Sequence, residues 1–229
     1  MGACGLDQTE PVADASIRFE RTREMATQAV GTATVDRDEL RRRVSEKYRA
    51  VAMNPELGFH FHTGAPLARM LGYPDEAVAM LPPGTVASFA GTGNPFVFGD
   101  LVAGEVAVDV GCGAGFDTLL AARQVGSEGH IFAIDMTAEM REKAANAARS
   151  MGLRNVQVLQ GYAESLPVDA GVADVVISNG VVNLCPDKPA VMREMFRVLK
   201  PGGRLQVGDI LVHVEVPQEA KDDIELWSG

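Results

Sequence analysis

From residue 105 onward, short apolar runs alternate with segments of helical period. Val106-Ala107-Val108-Asp109-Val110 is the first run, and a glycine loop follows it. Phe116 to Val125 reads as a helix, His130-Ile131-Phe132-Ala133-Ile134-Asp135 as the next strand, and Thr137 to about Met151 as a capped helix with a Glu139–Lys143 pair one turn apart. Val156-Gln157-Val158-Leu159 is a third run and Ala173-Asp174-Val175-Val176-Ile177-Ser178 a fourth. Asp187 to Leu199 reads as a helix stopped by Pro201-Gly202-Gly203, and Arg204 to Ile210 as a fifth strand. Strands alternating with helices predict an α/β fold with a doubly wound, mainly parallel sheet.

The first half is patterned differently. Residues 1–35 have weak periodicity and read as a mobile N-terminal arm. Residues 36–104 read as a helical and irregular lid on the substrate side. Within them Leu40, Val44, Tyr48 and Val51 recur at helical spacing, and Asn54-Pro55 ends that helix. The interleaved Arg41-Arg42-Arg43 reads as a solvated helix face. A short helix is expected over Asp75–Leu81 within an otherwise irregular stretch from 55 to 100. Residues 105–229 form the ligand-binding α/β domain.

Composition narrows the function classes. Hydrophobic residues make up 46% and charged residues 23%, as in a globular chain with a real core. The net charge of −10 disfavours a nucleic-acid partner, and no apolar run is long enough to span a membrane. Three cysteines, Cys4, Cys112 and Cys185, are too few for a disulfide framework and suit a cytoplasmic location.

The strongest local signal is Asp109-Val110-Gly111-Cys112-Gly113-Ala114-Gly115, placed between a strand and a helix. Glycines there let a ligand approach the backbone, and the helix start offers free N–H groups. The spacing is Gly-x-Gly-x-Gly, with Phe116 where a dinucleotide fingerprint needs its last glycine, so a nicotinamide oxidoreductase is disfavoured. Asp135 ends the following strand, where a carboxylate accepts both hydroxyls of a ribose. Met136 beside it suits an adenine face, and Gly161-Tyr162-Ala163-Glu164 is placed to meet the adenine edge. These features point to a nucleoside ligand at the carboxyl edge of the sheet.

With these motifs the chain resembles the class I S-adenosylmethionine-dependent methyltransferases. The likeness covers about residues 105–212 and includes Ile134-Asp135-Met136-Thr137, Ala163-Glu164-Ser165-Leu166-Pro167 and Arg197 to Gly203. It implies a Rossmann-like fold and S-adenosyl-L-methionine as cofactor. Asp109, Gly111, Cys112, Gly113 and Gly115 would hold the methionine part. Asp135 would take the ribose, Met136 would flank adenine, Ala163 and Glu164 would reach its edge, and Asn179 would lie nearby. A narrower resemblance, to the arsenite methyltransferase group, rests on Phe116-Asp117, Ile177-Ser178-Asn179, Asn183-Leu184, Pro186-Asp187-Lys188, Gly93-Asn94-Pro95 and Leu226-Trp227. That family holds As(III) with cysteine thiolates. One precedes the Gly-Asn-Pro turn, where this chain has Thr92-Gly93. Another follows the Ser-Asn pair, where this chain has Gly180. A third follows the Trp-x-Gly segment, where this chain stops. Family members also add C-terminal strands that are expected to be missing here, leaving an exposed edge suited to a homodimer.

The expected activity is therefore methyl transfer to a small molecule. A non-catalytic S-adenosylmethionine-binding module, its substrate site lost, is the alternative. Tyr48, Thr92, Asn94, Gly180 and Asn183 are candidates for the substrate side. Tyr48 could close over the cofactor or anchor the core, and Asn179 and Asn183 could line the site or cap a loop. His60 and His62, two apart in Phe59-His60-Phe61-His62, are weak candidates for a base. No third ligand has clear spacing, so no metal site is expected. Cys185 is either a substrate thiol or a small buried hydrophobe.

Overall fold

The computed structural model describes residues 35–57, 59, 61–214 and 216–228. The expected arm, Cys4 and His60 lie outside the described residues. Five strands form one sheet, β1 (Val106–Val110), β2 (His130–Asp135), β3 (Val156–Gln160), β4 (Ala173–Asn179) and β5 (Leu199–Gly208). Their order is β3-β2-β1-β4-β5 and every pairing is parallel.

Buried parallel strands read as continuous apolar runs because both faces are covered. In β1, Ala107 packs with Ile131, Val175 and Ile177 against Ala121, Ala122 and Val125 of α5 (Phe116–Val125). Val108 and Val110 point to the other face, where Val176 and Ile134 meet Val191, Met195 and Val198 of α7 (Lys188–Val198). The period-two alternation thus supplies two apolar faces from one strand. α6 (Ala138–Ser150) joins β2 to β3.

Helix α1 (Arg37–Met53) precedes the sheet, with Asp36 capping it by accepting from the N–H groups of Asp38 and Glu39. It buries Leu40, Val44 and Val51, each worth about 1.5–3 kcal/mol. That burial keeps it docked on α6. Lys143 of α6 donates to Ala52 O at 2.6 Å and Ser88 Oγ at 2.7 Å, and Arg49 pairs with Glu139 at 2.8 Å. These tertiary partners replace the Glu139–Lys143 pair expected from helical spacing.

The stretch from 55 to 100 is more ordered than its sequence suggests. It carries α2 (Gly64–Met70), α3 (Asp75–Ala79), α4 (Pro83–Ala87) and a 3-10 turn (Pro95–Phe98). Leu67, Ala68, Tyr73, Val78 and Phe89 pack there against Phe116 and Leu119 of α5. β5 begins at Leu199 rather than Arg204, with an irregular register between Ala173 and Val175 of β4. After β5 come α8 (Gln218–Asp222) and α9 (Ile224–Ser228). No helix among the described residues is long and apolar enough to cross a membrane.

Candidate active site

The strand register brings Val110, Ile134 and Ser178 to the same edge of the sheet. Their following loops therefore converge where the strand order reverses, the crevice in which open α/β sheets bind ligands. A cleft opens there, with about 1040 Å³ of unfilled space, part of it open to solvent. The loop after β1, Asp135 at the end of β2 with Met136 beyond it, Tyr162 to Glu164 after β3, and Asn179 at the end of β4 with Gly180 and Val181 beyond it line its floor. Arg41, Val44 and Tyr48 of α1 roof it.

The glycine loop is shaped by its neighbours. Gly111 has φ +74°, and a Cβ there would lie 2.3 Å from Val181 Cγ2, so only glycine fits. Asp135 sits against this loop. Its Oδ2 accepts from Gly113 N at 2.9 Å and its Oδ1 from Thr137 N at 2.8 Å. Each carboxylate oxygen keeps a second lone pair for a ligand hydroxyl. Burial pushes the Asp135 carboxyl above its usual range. Asp109 is also buried, accepts from Thr118 Oγ1, and is pushed up to about 8, by burial first and by Asp117 second.

A second polar cluster was not legible beforehand. Tyr73 Oη donates to Asp117 Oδ1 at 2.6 Å, and Asn179 Nδ2 donates to Asp117 Oδ2 at 3.0 Å. Burial raises Asp117 to about 6, while these two donors pull it back. Asn179 Oδ1 accepts from Thr92 N at 2.8 Å and Gly93 N at 3.0 Å. Asn179 lines the cleft, yet its amide is spent on fastening the turn before the sheet to β4 and α5.

The remaining candidates divide. Gly111, Cys112, Gly113, Asp109, Asp135, Met136, Ala163, Glu164, Tyr48, Gly180 and Cys185 line the cleft, while Gly115 ends the glycine loop at φ +87° as the N-cap of α5. Thr92 is exposed, and Asn94 caps the 3-10 turn by accepting from Phe96 N at 3.0 Å. Asn183 Oδ1 is buried without a hydrogen-bond partner among the described residues, but Asn183 lies outside the cleft wall, as does the exposed His62. Gly180, at φ +68°, faces Thr92 so closely that a Cβ would lie 3.1 Å from Thr92 Cγ2. Positions 92 and 180 are thus direct neighbours. Burial pushes Tyr48 to about 12, with Asp135 adding to it, and pushes Cys185 to about 12 as well. Arg41, expected on a solvated face, instead reaches the cleft and lies 3.4 Å from Glu164 Oε1. Its spacing from Val44 and Tyr48, three and seven residues, is the signal that places it on their face.

The cleft fits a nucleoside sulfonium. It offers a glycine-lined loop, a buried carboxylate with spare lone pairs, and in Glu164 Oε1 a buried acceptor with no hydrogen-bond partner among the described residues. Comparison with known proteins agrees. Residues 101–229 match the methyltransferase domain family. The chain is 36% identical over 214 residues to an arsenite methyltransferase of Halobacterium salinarum, covering 86% of this chain and 54% of that protein. It is 38% identical over 130 residues to the arsenite methyltransferase of Homo sapiens, covering 52% of this chain and 34% of that protein. The chain thus spans about half the length, or less, of these curated relatives. An X-ray structure of an arsenic(III) S-adenosylmethionine methyltransferase from Chlamydomonas reinhardtii matches with a TM-score of 0.59 at 35% identity, over 63% of this chain and 51% of that one. The chain belongs to the methyltransferase domain family, and within it is similar to arsenite methyltransferases that use S-adenosylmethionine.

Proposed function

We propose that the chain transfers a methyl group from S-adenosylmethionine to a small molecule whose attacking atom already carries a free lone pair. The observation that carries this reading is the state of the titratable groups in the cleft wall. No histidine among the described residues lines it. Tyr48 and Cys185 hold their protons at neutral pH, and both oxygens of Asp117 are occupied by donors. With Asp135 and Glu164 given to the cofactor and Asp109 held near 8, an oxygen or nitrogen acceptor that must lose a proton finds only Asp117 as a carboxylate base, and its oxygens already accept hydrogen bonds. As(III) and ionised thiols need no base.

Bound S-adenosylmethionine supplies an activated methyl on a good leaving group, and the chain's work is then positioning. Asp135 would hold the ribose and Glu164 the base. Tyr48 and Val44 on α1, with Val181, Leu184 and Cys185 opposite, would exclude water from the acceptor side. Threonine and glycine occupy the neighbouring positions 92 and 180, where the family resemblance expects cysteines. A thiolate pair held by the chain is absent at that point, so an arsenic acceptor would arrive bound to a free thiol.

The test is S-adenosylhomocysteine formation by the purified chain. The acceptors are arsenite with glutathione, small thiols, and alcohols or phenols of similar size. Product with lone-pair acceptors alone is expected. Product with alcohols or phenols alone would overturn the reading. The Thr92–Gly180 contact favours a second reading, a cofactor-binding module without turnover, for which tight binding with no product from any acceptor is the signature.

A further inference from the structure

The segment that joins β4 to α7 carries Val181, Leu184 and Cys185 into the cleft wall, and its regular structure is a single 3-10 turn (Val182–Leu184). The register of the sheet pairs Asn179 of β4 with Gly208 of β5, so Asp209 emerges beside the start of this segment. Asp209 Oδ2 accepts from Val181 N at 3.0 Å and Val182 N at 2.8 Å, and its Oδ1 accepts from Asn183 N at 3.3 Å. Successive backbone N–H groups form a concavity for an anion, and here the chain's own carboxylate fills it. Lys188, the first residue of α7, holds the other end. Its Nζ donates to Asn183 O at 3.0 Å and to Cys185 O at 3.1 Å, and lies over the Trp227 ring of α9, 4.2 Å from its centroid. A carboxylate thus grips the donors of the segment and an ammonium grips its acceptors. Hydrogen bonds to ionised partners are about twice as strong as neutral ones. Neither Asp209 nor Lys188 lines the cleft. Val181 packs on Gly111, yet the glycine loop has anchors of its own, Gly111 N and Cys112 N on Ile134 O and Gly113 N on Asp135 Oδ2.

We propose that Asp209 and Lys188 are positioning residues for the methyl acceptor: together they clamp the segment that presents Val181, Leu184 and Cys185, the wall against which the acceptor is aligned. The proposal rests on the methyl transfer proposed above. Neither side chain touches the reacting atoms. Their effect comes through geometry, since an in-line displacement loses up to about 100-fold in rate for a misplacement of about 1 Å.

The test compares the wild-type chain with Asp209→Ala and Lys188→Met, thermal melts showing which variants fold. Hydrogen exchange over residues 181–185 and native labelling of Cys185 by iodoacetamide read the position of the segment without turnover. Calorimetric titration of S-adenosylhomocysteine reads the cofactor site. S-adenosylhomocysteine formation with arsenite and glutathione reads alignment. In the variants, exchange and labelling are expected to quicken by about 10-fold or more. The kcat is expected to fall about 10- to 100-fold, while S-adenosylhomocysteine affinity stays within roughly threefold of wild type. If Asp209→Ala does not fold, Asp209→Asn, which keeps one acceptor oxygen, takes its place with the same directions expected. Wild-type exchange and labelling in folded variants would overturn the clamp. A loosened segment with undiminished kcat would overturn its part in alignment, and cofactor affinity falling as far as kcat would make it a support of the cofactor instead. No turnover by the wild type would overturn the proposed methyl transfer and the acceptor role with it, while exchange and labelling would still decide whether the clamp exists.

Discussion

Replacing Asn179 with alanine separates two roles for one side chain. In the structure its Oδ1 accepts from Thr92 N and Gly93 N, and the two N–H groups of its Nδ2 are shared among Gly93 O, Tyr73 Oη and Asp117 Oδ2, all within 3.1 Å. Thr92 is exposed, so water replaces its partner at little cost. Gly93 N is partly buried, and the Asp117 carboxylate is 7% exposed as a residue. Each of these two groups left short costs about 1–3 kcal/mol, which sums to about 2–6 kcal/mol. For a chain of this size that lowers the melting temperature by roughly 2–4 °C per kcal/mol. The loss is also expected to raise the Asp117 carboxyl further above its value of about 6, since one of its two donors is gone. The assay is urea denaturation followed by circular dichroism, paired with S-adenosylmethionine titration of the same variant. A stability loss below about 0.5 kcal/mol would refute the fastening role. Unchanged stability with sharply weakened cofactor binding would return Asn179 to the role of a cofactor ligand.

Three further outcomes are expected. Asp109 and Asp117 are held near 8 and 6, above their usual 3.8, so the folded chain keeps protons that the unfolded chain releases. Stability of the ligand-free chain should therefore fall as pH rises from about 4 to 8, and Asp109→Asn should flatten the part between 6 and 8. Urea midpoints rising over that window in the wild type would contradict this. Gly111→Ala forces a side chain into φ +74° and against Val181, where both the Cγ2 and the Cβ stand in the way. A loss of at least about 1–2 kcal/mol is expected, together with loss of cofactor binding, and unaltered calorimetric and thermal melts would refute it. The Cys185 thiol is buried and pushed up to about 12, so iodoacetamide at pH 7.5 should label its peptide only on unfolding. Rapid native labelling, read by mass spectrometry, would contradict its placement.

The central strands β1, β2 and β4 were legible because each apolar run is covered on both faces and bounded by glycine, proline or a helical pattern. β1, α5 and β2 fall where the sequence places them. α2 was not legible. It is seven residues long, Thr63 caps it without a side-chain hydrogen bond, and its stability comes from packing Leu67 and Ala68 against residues far along the chain. The Glu139–Lys143 pair failed for the same reason, since tertiary partners on α1 and Ser88 outcompete a helical neighbour. The glycine loop and Asp135 were visible because their chemistry is local. The Tyr73–Asp117–Asn179 cluster joins residues 44 and 106 positions apart, and no local pattern marks it. Arg41 was hidden among three arginines, although its spacing to Tyr48 marked the inward face.

Calorimetric titration of S-adenosylmethionine into the wild-type chain and Asp135→Ala, with thermal melts confirming that both are folded, tests the central claim most directly. Saturable one-site binding by the wild type and at least about 10-fold weaker binding by the variant are the expected results, since a charged acceptor for the ribose hydroxyls is gone. No binding by the folded wild type, or equal affinity in the variant, would contradict the placement of the cofactor in this cleft.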